Sequence, residues 1–154
     1  VHTYTGTQVN TEHATPNSQP ATRTSPMKSF LLSRYASFRH ALRGLWYVIR
    51  TQRNAWIHVF FTLAVFAVGL WLGLPPHDWA VLILTIAMVF AAEFINTAIE
   101  AVVDLATQEH HPLAKVSKDV GAAAVLISAI AAIAVGLLIL GPPLWARLTA
   151  LFAG

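Results

Sequence analysis

Apolar positions fall into four blocks along the 154-residue chain. The first, from Met27 to about Arg53, is intermittent. Its Leu31, Tyr35, Phe38, Leu42, Leu45, Trp46 and Ile49 fall within about 100° of arc at helical spacing, and Arg39, Arg43 and Arg50 lie beside that arc. The spacing predicts an amphipathic helix over 27–53 that rests in a headgroup layer, its arginines reaching anionic groups. The other blocks are continuous, at about 55–74, 79–105 and 120–140, and each reaches the roughly 20 residues that a 30 Å hydrocarbon core requires. The expected fold is therefore an all-α membrane protein: one N-terminal surface helix and three transmembrane helices, together residues 27–140. Residues 1–26, rich in Thr, Ser, Asn and Pro, are expected to form a disordered tail. Residues 141–154 are expected to form a short interfacial C-terminal tail, with Trp145 and Phe152 at the boundary.

Composition agrees with that division and narrows the chemistry. Hydrophobic residues make up 56% of the chain and charged residues 11%, with a mean hydropathy of +0.58; soluble domains carry about 25% charged residues. The absence of cysteine excludes disulfides, thiolate metal sites and cysteine nucleophiles. The net charge of +3 is modest, no nucleic-acid partner is expected, and the placement of charge says more than its total. Basic residues run from Arg23 to Arg53 and return at Lys115 and Lys118, whereas the turn Pro75-Pro76-His77-Asp78 has neither Lys nor Arg. The positive-inside bias then puts the N-terminus and the 107–118 connection on the cytoplasmic side of a bacterial inner membrane.

Small residues indicate how the spans pack. Ala124, Ser128, Ala132 and Gly136 recur every four positions in the third span, and Ala91, Ala92, Ala98 and Ala101 lie in the second, so close helix approach is expected. Three helices alone would shield polar groups of the second span poorly. A homo-oligomer that places those groups at a subunit interface is the expected remedy.

The polar groups in question are Glu93, Asn96, Glu100 and Asp104, with Lys118-Asp119 opening the next span. At 100° per residue the four fall within about 80° of arc, one stripe on one helix. A charged side chain at bilayer depth costs roughly 2.5–3.5 kcal/mol even on the lenient insertion scale, and such residues mostly carry function. Three uses compete. A proton or cation path is disfavoured because Ala80 to Phe90 is apolar apart from Thr85, so the stripe stops partway. A structural role would pair the acids with Lys115, Lys118 or the arginines. The third use is a one-sided site at the cytoplasmic headgroup layer. There Glu100 suits Mg²⁺, which is held by one or two carboxylates together with substrate phosphates. The deeper, desolvated Glu93 suits general-base work on an alcohol at headgroup depth. Lys118 and the helix arginines, Arg39 among them, would neutralise a transferred phosphoryl group. The chain carries no G-x-x-x-x-G-K-[ST] loop and no H-R-D or D-F-G set, so a kinase here belongs to neither common soluble class.

The run Ala92-Glu93-Phe94-Ile95-Asn96-Thr97-Ala98-Ile99-Glu100-Ala101-Val102-Val103-Asp104, followed by His111-Pro112-Leu113-Ala114-Lys115 and Lys118-Asp119-Val120-Gly121, resembles the prokaryotic membrane diacylglycerol kinase and undecaprenol kinase family. The similarity extends back through Ser37-Phe38-Arg39-His40-Ala41-Leu42-Arg43-Gly44-Leu45 and Arg53-Asn54, over about residues 28–140. The resemblance implies a homotrimer of three-span protomers that uses MgATP to phosphorylate a lipid hydroxyl at the cytoplasmic face. It further implies that Glu93 is the catalytic base, supported by Asn96 and Asp104, and that Glu100 ligates the metal. Glu109, His110, His111, Lys118 and Asp119 would contact ATP, and His40 would lie near the base.

One position departs from the family pattern. Many members carry a second acidic metal ligand before the first span, where this chain has Gln52. A Gln carbonyl still ligates Mg²⁺ but brings no charge. The expected function is ATP- and Mg²⁺-dependent phosphorylation of a membrane lipid alcohol, diacylglycerol or undecaprenol. The alternatives are a non-catalytic scaffold of the same fold, which Gln52 would favour, and a small proton or cation pathway.

Overall fold

The computed structural model describes residues 26–152; the expected tail over 1–26 falls almost wholly outside them. The described residues form four helices: α1 (Pro26–Thr51), α2 (Arg53–Leu72), α3 (Pro76–Ala106) and α4 (Pro112–Phe152). Three of them, α2, α3 and α4, are long and apolar enough to cross a membrane.

Helix ends follow local chemistry. Gln52, at φ −96° and ψ 118°, is extended and separates α1 from α2, so the expected surface helix stops at Thr51. α2 ends at Gly73, whose φ of +70° is the left-handed conformation open to glycine. The Gly73 and Leu74 amides both donate to the Gly69 carbonyl, at 3.1 and 3.2 Å, and close the helix. Pro75 then caps α3, with Pro76 in the first turn where its missing N–H costs nothing and Asp78 facing the positive end of the helix dipole. Pro112 opens α4 in the same way, six positions before Lys118, so the connection between α3 and α4 is only residues 107–111. α4 continues through Pro142 and Pro143 to Phe152, so the described part of the expected tail is helical and continuous with the last span. At 1.5 Å per residue its 41 residues reach about 60 Å, twice the hydrocarbon core.

The N-terminal part of α1, to Ser37, is a compact unit of its own, in which Arg34 lies 5.5 Å over the Phe30 ring. From Phe38 onward the chain forms the second unit. Within it, α3 is the central helix: a third of its apolar window is buried, against 11% for α2 and 6% for α4. Its buried residues Leu82, Thr85, Val89, Glu93, Asn96 and Thr97 recur at helical spacing and form one face. α2 contributes the buried Ala55 and Gly69, and α4 contributes Gly121 and Val125. Contacts at both ends of α2 show that it runs antiparallel to α3: Gln52 meets Glu100, and Trp79 covers Gly69 and stacks on Phe66 at 5.2 Å. Arg147 lies 5.6 Å over Trp71, tying the far part of α4 to the end of α2.

The expected ladder of small residues is not the one used between these helices. Ala124 is exposed, Ser128, Ala132 and Gly136 are half-buried, and a Cβ at Gly136 would meet nothing within 4 Å. The close approaches are at Gly69 and Gly121. An alanine at 69 would put its Cβ 2.8 Å from Trp79 Cη2 and 3.1 Å from Leu74 Cδ1. Gly69→Ala should therefore lower stability by about 1–3 kcal/mol. Gly136→Ala, with open space, should change it by less than about 0.5 kcal/mol. Denaturation in mixed micelles measures both, and equal effects would contradict the packing described.

Candidate active site

The polar stripe of α3 lies at the junction of three elements and changes character along its length. Glu93 is 0% exposed, and neither carboxylate oxygen has a hydrogen-bond partner. Thr97, also buried, donates its hydroxyl to the Glu93 backbone carbonyl at 2.9 Å, which satisfies Thr97 without touching the carboxylate. One turn on, buried Asn96 donates Nδ2 to Glu100 Oε1 at 3.0 Å, and its own Oδ1 is left without a donor against Gly121 of α4. The other Glu100 oxygen accepts from Gln52 Nε2 at 3.2 Å. Gln52 reaches it because the break between α1 and α2 leaves that residue extended. Gln52 and Glu100, expected together as metal ligands, thus meet although they lie 48 positions apart.

Beyond Glu100 the stripe leaves the apolar region. Asp104 pairs with Lys118 of α4. An open cleft of about 860 Å³ forms beside this pair, lined by Asp104, Glu109, His110, His111, Lys115 and Lys118 together with Thr107 and Gln108. Its shape comes from the short 107–111 connection. The Glu109 amide donates to Thr107 Oγ1 at 3.2 Å, and His111 Nδ1 accepts the Leu113 amide at 3.2 Å, capping α4 with a side chain. Asp119 does not line the cleft; it pairs with Lys115 one turn away. Arg39 and His40 do not line it either. Arg39 lines an open groove of about 520 Å³ along α1 with Arg43, Trp46 and Arg50, and His40 is exposed.

Some of this was not visible in the sequence. Thr107, Gln108 and Lys115 carried no signal as cleft residues. His58 is half-buried, with its ring 6.2 Å from Phe90 and Nε2 unpartnered. Nor does the sequence reveal that Gly121 meets Asn96.

The cleft, the Glu100 group and the buried Glu93 all lie within residues 39–140, the segment matched by the family model described as prokaryotic diacylglycerol kinase. The chain belongs to that family. Its relatives include an undecaprenol kinase from Bacillus subtilis, 44% identical over 110 residues that cover 71% of this chain and 89% of that protein. A diacylglycerol kinase from Synechocystis is 49% identical over 109 residues, covering 70% of this chain and 62% of the relative. A diacylglycerol kinase from Escherichia coli K12 is 36% identical over 104 residues, 62% of this chain and 84% of that one. The first half of α1 and the part of α4 beyond residue 140 lie outside the family match.

The bond between Gln52 and Glu100 links the α1–α2 junction to α3, and a hydrogen bond to a charged acceptor contributes about 1.5–3 kcal/mol. Gln52→Ala should raise amide hydrogen exchange at residues 50–54 by at least about 10-fold, while exchange at 82–89 stays unchanged. Equal exchange in both proteins would show that the bond does not hold the junction.

Proposed function

We propose that the chain is a lipid kinase of a bacterial inner membrane that transfers the terminal phosphoryl group of ATP to the hydroxyl of a membrane lipid alcohol at the cytoplasmic face. The observation that carries this reading is Glu93. It is a wholly buried carboxylate with two unpaired oxygens, on a helix able to cross the membrane, next to the Asn96–Glu100–Gln52 group. Family membership supplies the reaction class, and relatives named for both acceptors support diacylglycerol and undecaprenol alike.

In this mechanism Glu93 takes the proton of the acceptor hydroxyl as that oxygen attacks the terminal phosphorus. The new P–O bond forms as the bond to the ADP oxygen breaks, and ADP leaves with that electron pair. Lys118, held by Asp104, and Lys115 offer positive charge along the cleft that would take the triphosphate, with Glu109, His110 and His111 around it. The buried surroundings of Glu93 keep water from replacing the alcohol.

Mg²⁺ fits the residues present. Among the described residues no cluster of three His, Asp or Glu could hold an ion alone. One carboxylate, Glu100, stands beside one carboxamide, Gln52, and Mg²⁺ is normally bound by one or two such groups plus substrate phosphates. When bound it neutralises charge on those phosphates. Gln52 would then turn its carbonyl oxygen toward the ion in place of the N–H it gives Glu100.

The proposal extends to a homotrimer with a cytoplasmic N-terminus and α1 at the headgroup layer. The shielding argument for oligomerisation does not apply to Glu93 and Asn96, which one chain buries by itself. What supports assembly is the resemblance carried by the run from Ala92 to Asp104.

Incubation of the purified protein with labelled ATP, Mg²⁺ and each lipid alcohol in turn tests the reading and names the acceptor. Glu93→Gln should lower kcat by about 10²- to 10⁴-fold with the fold retained; undiminished turnover would remove Glu93 from the base role. Gln52→Glu should lower the Mg²⁺ concentration needed for half-maximal rate several-fold, and an unchanged requirement would refute the ligand role of position 52.

A further inference from the structure

Both Glu100 oxygens accept from amide groups, Asn96 Nδ2 and Gln52 Nε2. A carboxylate can only accept, so the Asn96 carboxamide is held with its nitrogen toward Glu100 and its oxygen toward α4. That oxygen is buried, receives no hydrogen bond and faces Gly121.

Nothing in the backbone explains a glycine at 121. Its φ is ordinary, since Gly73 alone among the described residues has a positive φ, and glycine is the poorest helix former after proline. Nor does the spacing between the helices require it, because an added Cβ would lie 3.7 Å from the Asn96 Cα, an ordinary contact. What forbids a side chain is the Asn96 carboxamide: the added carbon would collide with Oδ1 and sit 3.4 Å from Cγ. An alanine therefore has one way to fit, by driving the carboxamide out of its place. The displaced amide then either loses Glu100 or turns its oxygen toward a carboxylate that repels it.

We propose that Gly121 is a positioning residue of the reaction: by leaving space for the Asn96 carbonyl, it holds Nδ2 on Glu100 and keeps that carboxylate oriented as a metal–nucleotide ligand. The proposal rests on the reading of Glu100 as that ligand. Gly121 acts through Asn96, and its importance vanishes when Asn96 has no carboxamide to seat.

The test is a double-mutant cycle in the full chain in mixed micelles, with Gly121→Ala, Asn96→Ala, the pair together and Glu100→Gln. One readout is binding of Mn²⁺ with a non-hydrolysable ATP analogue by electron paramagnetic resonance, which needs no turnover; the other is the Mg²⁺ concentration for half-maximal rate. Gly121→Ala alone should weaken Mn²⁺ binding about 10-fold or more, the usual effect of losing a group that orients a ligand. In the Asn96→Ala background the same change should weaken it less than about 2-fold. Equal losses in both backgrounds, or none in the parent, would overturn the proposal. If Gly121→Ala does not fold, folding of the double variant supports the same collision, and failure of both overturns it. Glu100→Gln separates the two readings: if it leaves Mn²⁺ binding intact the ligand assignment fails, whereas if it abolishes binding while Gly121→Ala does not, only the role of Gly121 fails.

Discussion

A carboxylate on a membrane-crossing helix has to be enclosed by protein, and the placement of α2 and α4 around α3 follows from that need. Glu93 is covered completely by its own chain although most of the surrounding surface is open apolar side chain. The buried positions that α2 and α4 turn inward include the small residues Ala55 and Gly121, the latter facing Asn96. Close approach lets two helices cover a polar stripe that larger side chains would hold apart, and it replaces the hydrophobic drive that is missing between helices in lipid.

The stripe divides into a rigid part and an adaptable part. Both Glu100 oxygens are held by neutral amides in a half-buried setting, where each bond to a charged group counts for about 1.5–3 kcal/mol. The pairs Lys118–Asp104 and Lys115–Asp119 are largely exposed, and such pairs contribute about 0–1 kcal/mol. The lysines of the cleft are therefore easily redirected to an anionic ligand, whereas the carboxylate beneath them stays fixed. The stripe thus joins one firmly held carboxylate to loosely committed cations.

The existence and order of the helices were legible because long apolar blocks and one amphipathic block leave few other choices. The stripe on α3 was legible for the same reason, since spacing at 93, 96, 100 and 104 fixes a face without tertiary information. Ends were less so. Gln52 carries no breaker signal, yet it interrupts the helix and by doing so reaches Glu100. Pro142 and Pro143 look like a stop but are accommodated within α4. Periodicity shows which small residues share a face and not which face meets a neighbour, which is why the ladder from Ala124 to Gly136 was legible and the open space beside Gly136 was not. Gly121 has no chemistry to read at all; its part depends on where one oxygen of Asn96 is placed.

The cap on α4 fixes more than a helix end. Because His111 Nδ1 accepts the Leu113 amide, it carries no hydrogen, so the neutral ring must bear its proton on Nε2. As long as the first turn of α4 is closed in this way, the imidazole presents itself to the cleft as a donor with a fixed tautomer. The same ring that starts the helix is thereby suited to oxygen-rich anions and ill suited to a metal, which would need the lone pair that the hydrogen on Nε2 takes up.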